Sequence, residues 1–240
     1  YWVGCAGAYD PRNQEVARSF VKILQAAGVD FAVLGEEETC NGDSARRLGE
    51  EYLFETLAIQ NIETLKQYEF DRIVTPCPHC MYTIGTEYRD FGGDFETVHH
   101  SRFIDELIGS GRLTLNGGGG NGKVTFHDPC YLGRYSGQYD SPRDLIRRAM
   151  AEKGGFVEME QARENSFCCG AGGGNMWYEM DDEQDRMNLS RVRQAAATGA
   201  GTVATACSFC MIMMDDGVKV EGQEDTLQVK DVAELVADSL

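Results

Sequence analysis

The chain has 240 residues, 42% hydrophobic and 25% charged, with Trp, Tyr and Phe all present, so it can build a packed core and is neither disordered nor low-complexity. Asp and Glu number 39 against 22 Lys and Arg, a formal net charge of −17, and no basic cluster offers a phosphate track. Nucleic acid and anionic membrane surfaces are thereby poor partners, and no nucleic acid is expected.

The sequence opens Tyr1-Trp2-Val3-Gly4-Cys5, without a Met and in what reads as a β-strand delivering a cysteine, so it is read as a piece of a longer protein. No secretory leader is present, and no apolar run reaches the roughly 20 residues a membrane helix needs. A helix follows from Gln14 to Ala27, with Val16, Phe20, Ile23 and Leu24 on one stripe and Gly28 as its stop. Then come a strand over Phe31-Ala32-Val33-Leu34, Cys40, a helix from Arg46 to Leu65, and a β-rich run that ends at Cys77 and Cys80.

The glycine run Gly117 to Gly120, extended by Asn116, Asn121 and Gly122, reads as a linker over 116–122 between halves 1–115 and 123–240. The second half repeats the order. A strand from Val124 delivers Cys130, a helix runs from Asp182 to Ala197, and a β-rich run ends at Cys207 and Cys210. Strands alternating with helices predict an α/β fold of two tandem, duplicated domains with mostly parallel sheets and right-handed crossovers. Ligands of such sheets gather at the carboxyl ends of the strands, where the cysteines emerge.

All nine cysteines enter this repeat. Cys5, Cys40, Cys77 and Cys80 pair with Cys130, Cys168, Cys207 and Cys210 at offsets of 125, 128, 130 and 130, and Cys169 is the extra member. Glu96 to Leu107 likewise parallels Leu227 to Leu235, setting His99-His100 opposite Lys230-Asp231. Without a leader, and at a length that needs no disulfide staples, so many cysteines point to metal or redox chemistry.

The second set is five strong, one more than a tetrahedral zinc site uses, whereas iron–sulfur clusters hold several irons. Neighbours on an extended strand point apart, so Cys168 and Cys169 suit different irons of one cluster better than one ion. The glycines from Gly170 onward let backbone N–H groups approach sulfur closely. The first half has Cys40-Asn41-Gly42 where the second has Cys168-Cys169-Gly170. Its four thiols suit a cubane [4Fe–4S] cluster, a zinc ion or a degenerate basin equally.

The long–CC–long–CxxC spacing at Cys130, Cys168, Cys169, Cys207 and Cys210 resembles the cysteine-rich CCG domain, which occurs twice within heterodisulfide reductase and in many iron–sulfur oxidoreductases. The resemblance implies that these five hold a noncubane [4Fe–4S] cluster. Cys5, Cys40, Cys77 and Cys80 would then form a second metal site, with a [4Fe–4S] cluster or zinc, where Asn41 departs from the pattern. The segments Glu38 to Gly49 and His127 to Tyr135 are most similar to the branch that passes electrons from electron-transfer flavoprotein toward menaquinone.

That branch implies an iron–sulfur oxidoreductase relaying electrons from a flavoprotein toward membrane quinone, with quinone-linked or ferredoxin-type modules upstream in the same chain. It also implies a cytoplasmic location, at the inner face of the membrane where upstream segments anchor it. The alternatives are part of a heterodisulfide or other disulfide reductase, the iron–sulfur component of a glycolate, lactate or glycerol-3-phosphate dehydrogenase, and a non-catalytic zinc-stabilised module.

His127, three residues before Cys130, and Gly170 are expected just outside the metal ligands. His79 stands opposite Phe209 and reads as packing or surface, Met211, Met213, Met214, Trp177 and Tyr178 as core, and Glu36-Glu37-Glu38 and Asp181-Asp182-Glu183 as solvated faces. No Walker loop, Ser/His/Asp pattern, HExxH or nicotinamide fingerprint occurs, which leaves one-electron chemistry.

Overall fold

The computed structural model describes residues 1–116, 122–150, 155–177 and 186–240. The linker at 117–121, Tyr178, Asp181-Asp182-Glu183 and the first residues of the expected helix from Asp182 lie outside the described residues.

In the first half, α1 (Gly4–Tyr9), α2 (Pro11–Ala26), α3 (Asp43–Arg47) and α4 (Glu51–Leu65) precede β1 (Ile73–Thr75), α5 (Pro78–Gly85), β2 (Thr97–His99) and α6 (His100–Gly109). The second half runs β3 (Val124–Phe126), a π-helical turn (Tyr131–Tyr135), α7 (Asp140–Ala149), α8 (Met187–Ala197), β4 (Thr202–Thr205), α9 (Ser208–Val220), β5 (Gln228–Asp231) and α10 (Val232–Ala237). Among the described residues all strand pairs are parallel, β1 with β2 and β3-β4-β5 in that order, so the α/β reading holds.

Four expectations need correction. Cys5 is not on a strand. Trp2 N–H does donate to Val74 O (2.9 Å), as His127 N–H donates to Ala204 O (2.8 Å), but the chain then leaves the sheet. Gly4 turns at φ +79°, and the Glu38 carboxylate captures the N–H groups of Val3 (2.9 Å) and Gly4 (2.6 Å), starting α1 with Cys5 in its first turn.

Second, residues 31–34 form no strand; a single bond from the Tyr1 amino group to Ala32 O (2.7 Å) marks the edge position, because its neighbour departs too early to build a ladder. Third, the helix expected from Arg46 to Leu65 is two helices, α3 and α4, broken where Gly49 adopts φ +88°. Fourth, Trp177 is 63% exposed and not in the core. The repeat alignment also shifts by one: Thr75 pairs with His99 and Thr205 with Asp231, so His99 stands opposite Asp231. Each caps the next helix, accepting from Ser101 N–H or Ala233 N–H.

The main core is shared by both halves. Phe20, Ile23 and Leu24 of α2, Phe103 and Ile104 of α6, Leu145 and Ile146 of α7, and Val232 and Val236 of α10 bury their apolar stripes together. Within it His100 Nε2 meets the Asp231 carboxylate at 2.6 Å, a buried bond from one half to the other. Outlying clusters form under α4 (Phe54, Ala58, Ile62) and under α8 and α9 (Val192, Met211, Met214). This packing sets the carboxyl ends of β1 and β4, and hence both CxxC pairs, side by side.

Candidate metal centre

Each CxxC pair opens a helix. Cys77 caps α5 and Cys207 caps α9, so the unpaired N–H groups and positive dipole end of each helix face the sulfurs and favour thiolate. Cys77, Cys80, Cys169, Cys207 and Cys210 are buried, Cys130 and Cys168 half-buried, and Cys5 and Cys40 exposed.

The remaining cysteines arrive on loops held by backbone geometry. Gly42 at φ +85° donates its N–H to Cys40 Sγ (3.4 Å), and Gly170 at φ +88° donates to Cys168 Sγ (3.2 Å), the same turn in both halves. Asn41, which replaces the second cysteine of the pair, accepts the Asp43 N–H on Oδ1 at 2.9 Å and serves the turn. A Cβ on Gly42 would stand 2.8 Å from Phe54 Cδ2, whereas one on Gly92, at φ +80°, would meet nothing within 4 Å. Gly42→Ala is therefore expected to cost about 1–3 kcal/mol and Gly92→Ala less, as read from urea midpoints.

The nine sulfurs form two adjoining groups. Cys5 contacts Cys40, and contacts run from Cys80 to Cys77, across the halves to Cys207, and on to Cys210. Cys210 Sγ is 3.3 Å from Cys169 Sγ, which leads to Cys168 and Cys130. The series thus form two basins that touch at Cys77 and Cys207.

Crowded thiols share protons unevenly. A hydrogen bond from Cys5 draws Cys40 down to about 6. Bonds from Cys130 and Cys169 draw Cys168 down to about 2, while Cys169 is pushed up to about 12. Contact with Cys207 and then Cys80 lowers Cys77. Thiols that stabilise one another's anions at such range are a donor set for soft metal ions.

The surroundings fit a sulfur-bound centre. Trp2 lines the first basin and its indole N–H is buried without an acceptor among the described residues. His79 is buried, 2.8 Å from the Asp43 carboxylate through Nδ1 and stacked on Tyr131 at 3.9 Å, so the packing reading holds and surface exposure does not. A ring nitrogen of His127 and the sulfurs of Cys169 and Cys210 lie within 4.8 Å of one another. Met211 and Met214 are core, and Met213 packs on the buried cysteines.

Two buried charged side chains beside the site were not legible in the sequence, the fully buried Arg143 and Arg191. Arg143 grips Asp128 through two bonds (2.7 and 2.8 Å) and Glu158 through two more (2.6 and 3.0 Å), bracing the loop before Cys130. Their signal was weak: arginines on the otherwise apolar stripes Leu145, Ile146 and Leu189, Val192, Ala195.

Among the described residues no helix is long and apolar enough to cross a membrane. Known proteins similar to this chain include the "Probable iron-sulfur-binding oxidoreductase FadF" of Bacillus subtilis (strain 168), 42% identical over 240 residues, covering all of this chain and 34% of that protein. The "EtfAB:quinone oxidoreductase" of Syntrophomonas wolfei is 40% identical over 98% of this chain and 33% of its own length. A component of the dihydromethanophenazine:CoB–CoM heterodisulfide reductase of Methanosarcina barkeri is 32% identical over the whole chain and 58% of its own length. The chain thus spans about a third of the first two proteins. The family model of the cysteine-rich domain, CCG, matches residues 1–85 and 124–215, both cysteine series included, and the chain belongs to that family.

Proposed function

We propose that this chain is the electron-transferring part of an iron–sulfur oxidoreductase, built from repeats 1–115 and 123–240 joined at 116–122. Cys130, Cys168, Cys169, Cys207 and Cys210 would hold a noncubane [4Fe–4S] cluster. Cys5, Cys40, Cys77 and Cys80 would hold a second metal centre. When bound, such clusters supply one-electron exchange. The protein supplies placement, partial burial and N–H groups aimed at sulfur, here those of Gly42 and Gly170, which favour the more negative, reduced state.

The observation that supports this reading is the meeting of the two cysteine basins at Cys77 and Cys207, which would set two bound centres next to each other within one core. The name of one relative, EtfAB:quinone oxidoreductase, supports a reading in which electrons pass from an Etf-type flavoprotein toward quinone.

The test is iron, zinc and acid-labile sulfide per chain on anaerobically prepared protein. About four irons with matching sulfide are expected for one cluster, and about eight if the first basin carries one as well. Zinc without sulfide would overturn the electron-transfer reading.

A further inference from the structure

Arg191 is fully buried, yet its guanidinium meets no carboxylate among the described residues. All its partners are neutral: Nε donates to His127 Nδ1 (3.0 Å), one terminal nitrogen to Gln161 O (2.8 Å) and Gln194 Oε1 (2.7 Å), the other to Ser166 Oγ (3.1 Å). The nearby carboxylate of Asp128 is already engaged by Arg143 and by the Arg163 N–H (2.8 Å). A buried cation without a counter-charge is costly, and burial pulls Arg191 down to about 10. The other groups facing it that can take up negative charge are the sulfurs of Cys169 and Cys210.

The same contact decides what His127 can do. Arginine has only donors, so His127 Nδ1 must accept and the proton of the neutral ring sits on Nε2. A protonated ring would carry an N–H on Nδ1 and could not accept that bond, so the ring is neutral. Binding a metal through Nε2 would move the proton to Nδ1, against the Arg191 Nε–H. Any bond from His127 to the neighbouring sulfurs is then an Nε2–H donated to sulfur.

The first half supports this independently. Trp2 occupies the matching place, its backbone N–H bonded to Val74 O as the backbone N–H of His127 is to Ala204 O. An indole N–H donates and never ligates. The residue matching Arg191, at the offset of 130 that relates the CxxC pairs, is the buried and neutral Asn61, which donates to Cys40 O (3.0 Å) and Tyr88 Oη (3.1 Å). The basins thus share a donor and differ by one buried positive charge.

We infer that Arg191 is the built-in counter-charge of the second cysteine basin and holds His127 as an N–H donor to sulfur, so that the second centre accepts electrons more readily than the first. Arg191 and His127 are positioning residues in this scheme. The inference about the potential rests on the proposed function, while that about the His127 proton does not.

In Arg191→Gln, iron and sulfide should stay at the wild-type level, while the reduced-to-oxidised ratio of the second centre at fixed ambient potential falls about tenfold, equivalent to about 59 mV for one electron. His127→Gln, which keeps an N–H at the Nε2 position, should retain iron and potential, and His127→Ala should lower the potential. Histidine 15N NMR of the metal-free chain should show the Nε2–H form of His127, lost in Arg191→Gln. An Nδ1–H ring in the wild type, loss of iron in His127→Gln, or an unchanged ratio in both Arg191→Gln and His127→Ala would overturn the inference. Absence of iron and sulfide from the wild type would instead overturn the proposed function and leave the NMR result standing.

Discussion

Replacing Cys169 with serine is expected to abolish electron transfer and to strip most of the iron and sulfide of the second basin. Cys169 is 3% exposed, touches Cys168 and lies 3.3 Å from Cys210 Sγ, so its sulfur stands in the middle of the set. A serine oxygen is a harder donor than thiolate, holds its proton at neutral pH, and reaches less far into the basin. Four cysteines would remain there, as in the first basin, which separates two possibilities. Complete loss of iron from the second basin means that Cys169 is indispensable to the cluster. Full iron and sulfide with normal reduction kinetics would sink the assignment of a five-cysteine cluster.

The largest effect on stability is expected at Arg143. One partner is buried with it and the other is exposed: Asp128, 4% exposed, takes two of its bonds, and Glu158, at the surface, takes two more. Arg143→Met keeps much of the volume but strands the Asp128 carboxylate in the interior, a change of about 3–5 kcal/mol. For a chain of this size that lowers the Tm by about 10 °C. Arg147→Met, which breaks an exposed pair with Asp144, should cost under about 1 kcal/mol. Because Asp128 leads directly into Cys130, Arg143→Met should also weaken metal retention. A drop of less than about 2 °C would show that Asp128 finds another partner and that the brace is dispensable.

The parts of this architecture with a short-range cause were legible. The stripe Val16, Phe20, Ile23, Leu24 marks α2 because burial of one helix face repeats every three to four residues, and all four of these residues are indeed in the interior. The CxxC pairs lie at strand-to-helix turns because β1 and β4 must release the chain at their carboxyl ends. Where the reading missed, a distant group had intervened. Residues 2–5 look like a strand, but Glu38, more than thirty residues away, supplies acceptors for Val3 and Gly4 and favours a helix. Gly49 sits in a pattern that otherwise continues a helix, and only its left-handed backbone reveals the break.

By itself, then, the sequence determined the duplication, the α/β alternation and the two cysteine series, since each is written in spacing and periodicity along the chain. The tertiary structure decided how the series combine. Packing α2 and α6 of one half against α7 and α10 of the other brought Cys77 to Cys207. It also buried Arg191 beside His127 and left Asn61 in the matching place. The charge that a thiol or an imidazole experiences depends on neighbours within a few ångströms in space, and here those neighbours lie 64 and 130 residues away in sequence.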